Sequence, residues 1–507
     1  MLAAVSTAGL LGITGYPVTV EVHVGPGLPG FSIVGLPDDS CREARDRVRA
    51  ALLSSGFTWP NRRITVNLAP SGTKKHGTGL DLPLAVGVLV ASEVVEGRAI
   101  EGLGFLGELG LDGSVRPITG AAPMAAALGD RCPVVAVGNE PEVAAVCGGV
   151  RPVRCLTELV GALRGETPWP DIEPGMRAAP DVPPADLADV RGQLTGRAAL
   201  EIAAAGMHHL LLIGPPGAGK TMLAQRLPGL LPPLAAERAL ESTLVHSAAG
   251  LPLPPGGLIT EPPFRAPHHT ATMVAMVGGG SSALRPGELS LAHGGVLFLD
   301  ELAEFPPSVL DGLRQPLEER VVRISRARVS VSLPADVVLV GATNPCPCGG
   351  GGAGRDGRPG DCQCGETARL RYLRRLSGPL LDRFDLRIVI GRASPEELLG
   401  SRGGETSAAV RLRVVAARAR ASDRGIPRNG EIPAHRLDEV APLTHAAVAV
   451  LRNELERGRL SGRGLHRVRR VARTLADLDG DHDVIDDEMV QAALGLRAPI
   501  GGFEAAA

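Results

Sequence analysis

Hydrophobic and polar positions follow two different periods along the first third of the chain. Residues Val18–Val24 and Arg63–Leu68 alternate singly, which is typical of half-buried strands. Residues Asp39–Ser54 carry apolar side chains at helical spacing with charges on the opposite face, and the apolar stretch Leu80–Val95 predicts a buried helix. We therefore expect a mixed α+β domain over residues 1–168.

The pattern changes in the middle of the chain, where short apolar strands alternate with helices. The predicted strands include His209–Ile213, Val296–Leu299 and Val337–Val340, and each is followed by residues able to do chemistry. Such an alternation predicts an α/β domain with a parallel sheet, here over residues 186–392.

Two further segments flank this α/β region. Residues 169–185 are rich in proline and poor in apolar side chains, so we expect a linker there. Residues 393–507 contain Arg-rich amphipathic segments such as Leu465–Leu478, which predict a helical C-terminal domain.

Composition limits the function classes that remain. The chain has 507 residues, with 53 basic against 55 acidic side chains and a net charge of −2. This balance excludes a wholly basic nucleic-acid wrapper, so any nucleic-acid surface must be a local patch. Aromatic residues make up only 2%, which argues against base stacking as the main binding mode. The start lacks the basic region of a signal peptide and no long apolar stretch is present, so we expect a cytoplasmic protein without a membrane segment.

The strongest signal for chemistry is a glycine-rich loop that contains one of only three lysines in the chain. It matches the phosphate-binding pattern G-x-x-x-x-G-K-[ST], for which this composition gives roughly 0.005 chance matches. Its glycines let backbone N–H groups turn toward the phosphates of ATP, its lysine can neutralise the β and γ oxygens, and Thr221 can offer a hydroxyl to Mg²⁺. The predicted nucleotide-binding residues are Gly214, Pro215, Pro216, Gly217, Ala218, Gly219, Lys220 and Thr221.

Polar residues also follow the next two predicted strands. Asp300 and Glu301 end one strand, where Asp300 would hold Mg²⁺ with Thr221 and Glu301 would polarise the attacking water. Asn344 ends the other and could orient that water, or simply make a turn before a proline. We interpret the neighbouring pair His268–His269 as structural, with metal binding or loop capping as the alternative.

Four of the eight cysteines form a cluster within a loop over residues 346–364. They are two C-x-C pairs separated by thirteen residues, Cys346 with Cys348 and Cys362 with Cys364. Four thiolates can close a tetrahedral zinc site, and a metal would explain how such a Gly-, Arg- and Asp-rich loop becomes ordered. Free thiols and a redox pair are the alternatives.

Several longer segments resemble one known family. Phe264–His269, Arg285–His293 and Leu376–Asp385 are similar to segments of the magnesium-chelatase-like AAA+ ATPases, in particular the YifB/ComM group, and Val34–Asp38 and Arg63–Pro70 also match that group. The resemblance covers nearly the whole chain. It implies a Lon-protease-like α+β N-terminal domain, a P-loop AAA+ core with a parallel sheet, and a helical C-terminal lid.

The resemblance also implies an assembly. AAA+ proteins hydrolyse ATP between subunits, usually in a homo-hexameric ring. By resemblance, Arg383 would be the arginine finger that reaches the γ-phosphate of the neighbour. The alternative is an ion pair of Arg383 with Asp382 or Asp385.

A second arginine role is implied in the predicted lid helix. Arg463 best fits the sensor that touches the nucleotide of its own subunit. Arg467 and Arg470 share its helical stripe, so the sensor could lie one turn away, and the whole stripe could instead be a solvated basic face.

A basic hairpin is the candidate DNA contact. Residues Arg320–Leu333 predict two strands around a tight turn, and in related ring motors this hairpin projects into the pore. Arg323, Arg326 and Arg328 could grip phosphates without reading sequence, or could belong to an ordinary solvated hairpin.

The N-terminal domain is not expected to be a peptidase. Gly79 occupies the position where the nucleophilic serine of a Lon-type protease would stand, and no lysine lies between Ile118 and Lys220 to act as its base. We therefore expect the fold without the Ser/Lys dyad.

Together these observations predict an ATP-hydrolysing AAA+ ring motor that acts on DNA, by branch migration or strand separation in recombination or DNA uptake. The DNA part depends largely on the resemblance and the basic hairpin. One alternative is the motor subunit of a magnesium chelatase, which remodels a protein partner for metal insertion and usually lacks a Lon-like domain. A non-catalytic scaffold conflicts with the complete set of candidate site residues.

Overall fold

The computed structural model describes residues 1–36, 38–72, 75, 77–171, 185–280, 284–326, 329–350, 362, 364–400, 403–480 and 482–499. Most of the predicted linker over 169–185 lies outside these residues, as do the tip of the basic hairpin and most of the segment between the two cysteine pairs.

The N-terminal part is a mixed sheet structure. A four-stranded sheet has the order β1-β2-β4-β3, with β3 parallel to β4 and the other pairs antiparallel, and β5-β8-β9 form a parallel three-stranded sheet. Its strands are β1 Leu2–Leu11, β2 Thr14–Gly25, β3 Gly30–Val34, β4 Arg63–Ala69, β5 Leu103–Leu106, β6 Glu108–Leu109, β7 Val115–Arg116, β8 Cys132–Ala136 and β9 Arg151–Val153. Its helices are α1 Asp39–Ser54, α2 Asp81–Ala91, α3 Ala121–Ala126, α4 Glu140–Ala144 and α5 Leu156–Leu163.

Local chemistry explains where these elements begin and end. Every second residue of β4 points into the core, because Ile64, Val66 and Leu68 are fully buried. Helix α1 begins after Asp38, whose carboxylate accepts the N–H of Cys41 at 2.8 Å. Helix α2 is buried almost all round, as predicted, but it ends at Ala91 rather than Val95 because Glu93 takes the left-handed conformation (φ 59°), which stops the helix.

The central part contains the predicted parallel sheet, in the order β11-β14-β17-β10-β18. Strands β10, β14 and β17 are buried along their whole length, as expected for parallel strands covered on both faces. The strands are β10 Leu210–Ile213, β11 Phe264–Arg265, β12 Gly278–Gly279, β13 Arg285–Pro286, β14 Val296–Leu299, β15 Val321–Arg326, β16 Val329–Pro334, β17 Val338–Thr343 and β18 Leu386–Val389. The helices are α6 Leu194–Gly206, α7 Lys220–Leu230, α8 Ala236–Ala249, α9 Met273–Val277, α10 Glu288–Leu291, α11 Pro307–Gly312, α12 Arg314–Glu319, α13 Glu366–Leu373, α14 Gly378–Leu381 and α15 Pro395–Leu399.

The C-terminal part is helical in the residues that the structure describes. Its helices are α16 Ser407–Asp423, α17 Leu437–Val440, α18 His445–Glu456, α19 Gly462–Asp479 and α20 Asp487–Gly495. They share one hydrophobic core with the central sheet, in which Val414 of α16 and Val468 of α19 pack with Leu200 of α6 and Leu223 of α7. None of the described helices combines the length and the apolar character that a membrane crossing requires.

Among the described residues, the N-terminal part contacts the central part at several places, of which two bear on the site. The N–H of Gly120 donates to the carbonyl of Ser247 at the end of α8, at 3.0 Å. Leu11 and Ile13, around the turn between β1 and β2, pack against the hydrophobic cluster that contains Leu333 of β16. The base of the basic hairpin is therefore supported by the N-terminal sheet.

Candidate functional site

The ends of three neighbouring strands form the candidate site. Strand β17 lies between β10 and β14, all three run parallel, and Ile213 is paired with Thr343. The glycine-rich loop after β10, Asp300 after β14 and Asn344 after β17 therefore leave the sheet at the same edge. This is the edge where open α/β sheets bind ligands.

The loop after β10 has the backbone that phosphate binding needs. Gly217 and Gly219 have φ values of 75° and 87°, which side chains rarely tolerate. Helix α7 begins at Lys220, so its first N–H groups point toward the loop without partners inside the helix. The loop is also tied to the next strand, because the N–H of Gly214 donates to the carbonyl of Thr343 at 3.1 Å.

Lys220 is directed into this loop. Its ammonium donates to the carbonyls of Gly214 and Pro215, at 2.7 and 3.0 Å, and to Oδ1 of Asn344 at 3.0 Å. Burial lowers the pKa of Lys220, and the carboxylates of Asp300 and Glu301 oppose that shift. The lysine and the amide from two different strands thus share one hydrogen-bonded group.

Oxygen ligands suited to Mg²⁺ lie beside the lysine. The hydroxyl of Thr221 donates to Oδ2 of Asp300 at 2.7 Å, and Oδ1 of Asp300 accepts the N–H of Glu301 at 2.9 Å. A hydroxyl and a carboxylate in contact on two adjacent elements match the oxygen ligands that Mg²⁺ takes in proteins, so these residues fit the ion.

Glu301 has a partner that the sequence analysis missed. Oε2 of Glu301 lies 3.1 Å from Nδ1 of His269, which also packs edge-on against Phe305 at 6.4 Å between ring centroids. His268 instead contacts the hydroxyl of Thr270 at 2.9 Å. His269 meets Glu301 because β11 adjoins β14 and the residues after both strands leave the sheet at the same edge. The sequence does not give the order of strands, so it could not predict this contact.

Arg383 lies in an ion pair outside the loop. Its Nη2 is 2.5 Å from Oε2 of Glu318 on α12, and its side chain is only 20% exposed. The sequence alternatives were Asp382 and Asp385, but Asp385 is paired with Arg467 at 2.6 Å and Asp382 lies 3.6 Å from Arg387. Arg383 is therefore paired with an acidic residue of α12, which precedes the basic hairpin.

The three arginines of helix α19 that were considered for the sensor role, Arg463, Arg467 and Arg470, have different surroundings. Arg463 is exposed and lies near Glu318, where its charge joins those of Arg383 and Arg467 in lowering the pKa of that carboxyl. Arg467 bonds to Asp385 and to the carbonyl of Arg383, and Arg470 donates to the carbonyl of Ile432 at 2.9 Å. Of the three, Arg463 alone keeps an exposed side chain.

The predicted hairpin is formed by β15 and β16. Arg323 is 62% exposed and pairs with Glu319 at 2.6 Å. Arg328 and the side chain of Arg326 lie outside the described residues.

The four cysteines lie together at the end of β17. The sulfur of Cys346 is 3.3 Å from that of Cys348 and 3.5 Å from that of Cys362, and all four sulfurs, including that of Cys364, lie within 4.8 Å of one another. Hydrogen bonds, first from the backbone of Gly350 and then from Cys346, lower the pKa of the Cys348 thiol to about 6. This cluster can hold a metal ion.

The fold and the site define the class of protein. A phosphate loop between β10 and α7, with an acidic pair and an amide at the neighbouring strand ends, makes this chain a P-loop ATPase of the AAA+ class. Three family profiles agree: magnesium chelatase, subunit ChlI, over residues 186–398; subunit ChlI of Mg-chelatase over 20–133; and the C-terminal part of the magnesium chelatase ChlI subunit over 404–497.

Relatives of similar length define the group more narrowly. An uncharacterized protein of Mycobacterium tuberculosis is 46% identical over 497 residues, which cover 96% of both chains. The uncharacterized protein YifB of Escherichia coli is 42% identical over 98% of this chain and 97% of YifB, and the competence protein ComM of Haemophilus influenzae is 41% identical over 98% of both. The chain belongs to the YifB/ComM group of the magnesium-chelatase family.

Proposed function

We propose that this chain is an ATP-driven motor that works as a homo-oligomeric ring, with six subunits, and acts on DNA. The observation that carries the ATPase part is the hydrogen-bonded group of Lys220, Thr221, Asp300 and Asn344 at one edge of the sheet. Three separate strands contribute to it, which is what a site for a triphosphate and its metal ion requires.

Each residue of the site has a role in hydrolysis. Lys220 and the N–H groups of Gly214–Thr221 hold the phosphates. Thr221 and Asp300 would hold Mg²⁺, and the bound ion would supply positive charge to the phosphates. Glu301 polarises the attacking water and Asn344 orients it, while His269 keeps the carboxylate of Glu301 turned toward the site.

The ring supplies the remaining charge. Arg383 reaches the γ-phosphate in the neighbouring subunit after it leaves Glu318, and its planar fork stabilises the charge that spreads over the phosphate oxygens. Arg463, which is exposed on α19, is the sensor arginine that contacts the nucleotide bound to its own subunit.

The N-terminal and C-terminal parts frame this motor. Residues 1–168 form the Lon-protease-like domain without a Ser/Lys dyad, 169–185 the linker, 186–392 the AAA+ core and 393–507 the lid.

The four cysteines of the core bind zinc, since thiolates are the ligands that zinc prefers and sulfurs around a tetrahedral zinc ion stand about 3.8 Å apart. The sulfurs of Cys346, Cys348 and Cys362 are 3.3 to 3.6 Å apart, and all four sulfurs lie within 4.8 Å of one another.

The ATPase assignment is tested by Glu301→Gln. This variant keeps the shape of the side chain but loses the base, so ATP binding should persist while turnover falls by about a hundredfold or more. Glu304→Gln is the matched control, because Glu304 lies one turn further on and pairs with Arg375 instead of facing the loop. Full turnover by Glu301→Gln would contradict the role given to this carboxylate.

The DNA assignment is supported by the basic hairpin and by the similarity to a competence protein. Replacing Arg323, Arg326 and Arg328 by alanine should reduce the slope of log affinity against log salt by about 2 to 3 for duplex DNA, since each lost phosphate contact contributes about 0.9. The control is a triple alanine variant of three other exposed arginines, Arg45, Arg98 and Arg459. An unchanged slope would remove the hairpin from the DNA surface.

ATP turnover measured with and without DNA separates the two candidate functions. A DNA motor should be stimulated by single strands, duplex or four-way junctions. Steady ATP turnover that no DNA alters would favour the chelatase-type alternative, in which the partner is a protein.

A further inference from the structure

The segment that carries the cysteine cluster is connected to the phosphate site in two ways, and the first is along the chain. Cys346 follows Asn344 by two residues and is completely buried. The carbonyl of the preceding Thr343 accepts the N–H of Gly214, and the hydroxyl of Thr343 lies 3.3 Å from that of Tyr372 on α13. Since α13 begins two residues after Cys364, the first cysteine pair follows β17 and the second precedes the helix that contacts the end of β17.

The second contact is through space, onto the phosphate loop itself. Gly349 donates its N–H to the carbonyl of Cys346 at 3.0 Å and so closes a tight turn. Its φ is +74°, and a Cβ added there would lie 2.6 Å from Cδ of Pro216. Only glycine allows this approach, so the turn after the first cysteine pair rests directly on the phosphate loop.

The sequence between the two pairs contains few apolar side chains that could be buried. Residues 349–361 include seven glycines, and only an alanine and a proline among them are apolar. A segment of this composition gains almost nothing from burial and loses much conformational entropy when it is ordered. Metal ligation by the flanking thiolates can supply the missing free energy, because binding to a site that exists only in the ordered state stabilises that state.

We propose that zinc held by Cys346, Cys348, Cys362 and Cys364 acts as a positioning element of the ATPase: it clamps the end of β17 against the phosphate loop and so fixes Asn344 beside Lys220. The position of Asn344 depends on this clamp, because Asn344 follows β17. Nucleotide binding depends on it less, because the phosphates are held mainly by Lys220 and the start of α7, which follow a different strand. Loss of the metal should therefore slow hydrolysis more than it weakens ATP binding. The clamp rests on the proposed function in two respects, the zinc site and the role of Asn344 in hydrolysis; the link between the two is the new inference.

The first measurement is metal content and its link to turnover. The full chain, dialysed against metal-free buffer, should retain one zinc ion as measured by elemental analysis. Cys348→Ser should lose the zinc and reduce kcat by about tenfold or more. The Kd for a fluorescent ATP analogue should change by less than about threefold, since the contacts that hold the phosphates in the ground state are largely kept. Cys155→Ser is the control, because Cys155 lies outside the cluster at the N-cap of α5, where serine is well tolerated.

The second measurement reports the clamp without ATP hydrolysis. Hydrogen exchange of peptides covering residues 210–220 and 338–346 should become faster in the wild-type chain when zinc is chelated and return to its starting rate when zinc is restored, while peptides from the N-terminal sheet should not change. This reversible test also applies if Cys348→Ser does not fold.

The outcomes separate the two proposals. A wild-type chain without zinc, or zinc removal that changes neither kcat nor exchange at the two segments, would overturn the clamp. A chain whose exchange responds to zinc but which hydrolyses no ATP would support the clamp and refute the ATPase role.

Discussion

The ion pair between Asp385 and Arg467 is the contact whose loss should most disturb the docking of helix α19 on the central sheet. Asp385 follows α14, and its Oδ1 lies 2.6 Å from Nη1 of Arg467 on α19. Its other oxygen is 3.3 Å from Nδ1 of His208, whose Nε2 lies 2.8 Å from the hydroxyl of Thr474 on α19. Asp385→Asn keeps the shape of this group but removes its charge.

The size of the effect follows from burial. Burial opposes ionisation, yet the charge of Arg467 and the hydrogen bond from His208 lower the pKa of Asp385, so the folded chain holds a paired carboxylate. Removing one partner of a buried pair costs about 3–5 kcal/mol, because the other charge stays buried without compensation. Arg467 is 14% exposed and keeps its bond to the carbonyl of Arg383, so we expect the lower limit, about 3 kcal/mol.

Native-state hydrogen exchange of peptides covering α19 measures this change locally. About 3 kcal/mol corresponds to roughly a hundredfold faster exchange, at tenfold for each 1.4 kcal/mol. Asp438→Asn is the matched control. Asp438 of α17 pairs with Arg469 of α19 at 2.7 Å, but the side chain of Asp438 is 93% exposed. A solvated pair of this kind contributes about 0–1 kcal/mol, so exchange should change by less than about fivefold.

Equal responses of the two variants would refute the reasoning. That result would mean that burial does not set the strength of these pairs, or that helix α19 is held by its apolar face alone, through Val468 and Val471.

Two further predictions concern the ring and the dependence on pH. Lys220→Ala and Arg383→Ala should each abolish ATP turnover alone. An equal mixture of the two variants should recover about a quarter of the wild-type rate, because each site needs the lysine of one subunit and the arginine finger of its neighbour. No recovery in mixed rings would place Arg383 in its own subunit's site or outside the mechanism. Burial lowers the pKa of His209 from 6.5 to about 4, so the folded chain keeps this imidazole neutral while the unfolded chain takes up a proton. The contribution of this neutral imidazole to the free energy of unfolding should therefore be fully present above pH 6.5 and be lost, by up to about 3 kcal/mol, as the pH is lowered through 4, at 1.36 kcal/mol per pKa unit. The melting temperature of His209→Asn should depend less on pH in this window. An unchanged dependence would contradict the role given to His209.

The sequence by itself was sufficient for the parts of this protein that depend on neighbours along the chain. Helix Asp39–Ser54 and strand Val296–Leu299 were predicted with the observed limits, because hydrophobic period and capping are local properties. The loop Gly214–Thr221 was recognisable because its glycines, lysine and threonine act through one continuous stretch of backbone. Asp300 and Asn344 could be placed beside it because parallel strands bring their carboxyl ends to one edge.

Only the tertiary structure decided which distant residues meet. His269 contacts Glu301 because β11 adjoins β14, and Arg383 pairs with Glu318 rather than with either aspartate beside it in the chain. Gly349 rests on Pro216 although 133 positions separate them in the numbering. Such contacts depend on strand order and on how loops return across the sheet, and with 53 basic and 55 acidic side chains available, charge alone cannot select the pairs. The hydrophobic pattern specifies which face of an element is buried, whereas packing of whole elements determines what that face brings together.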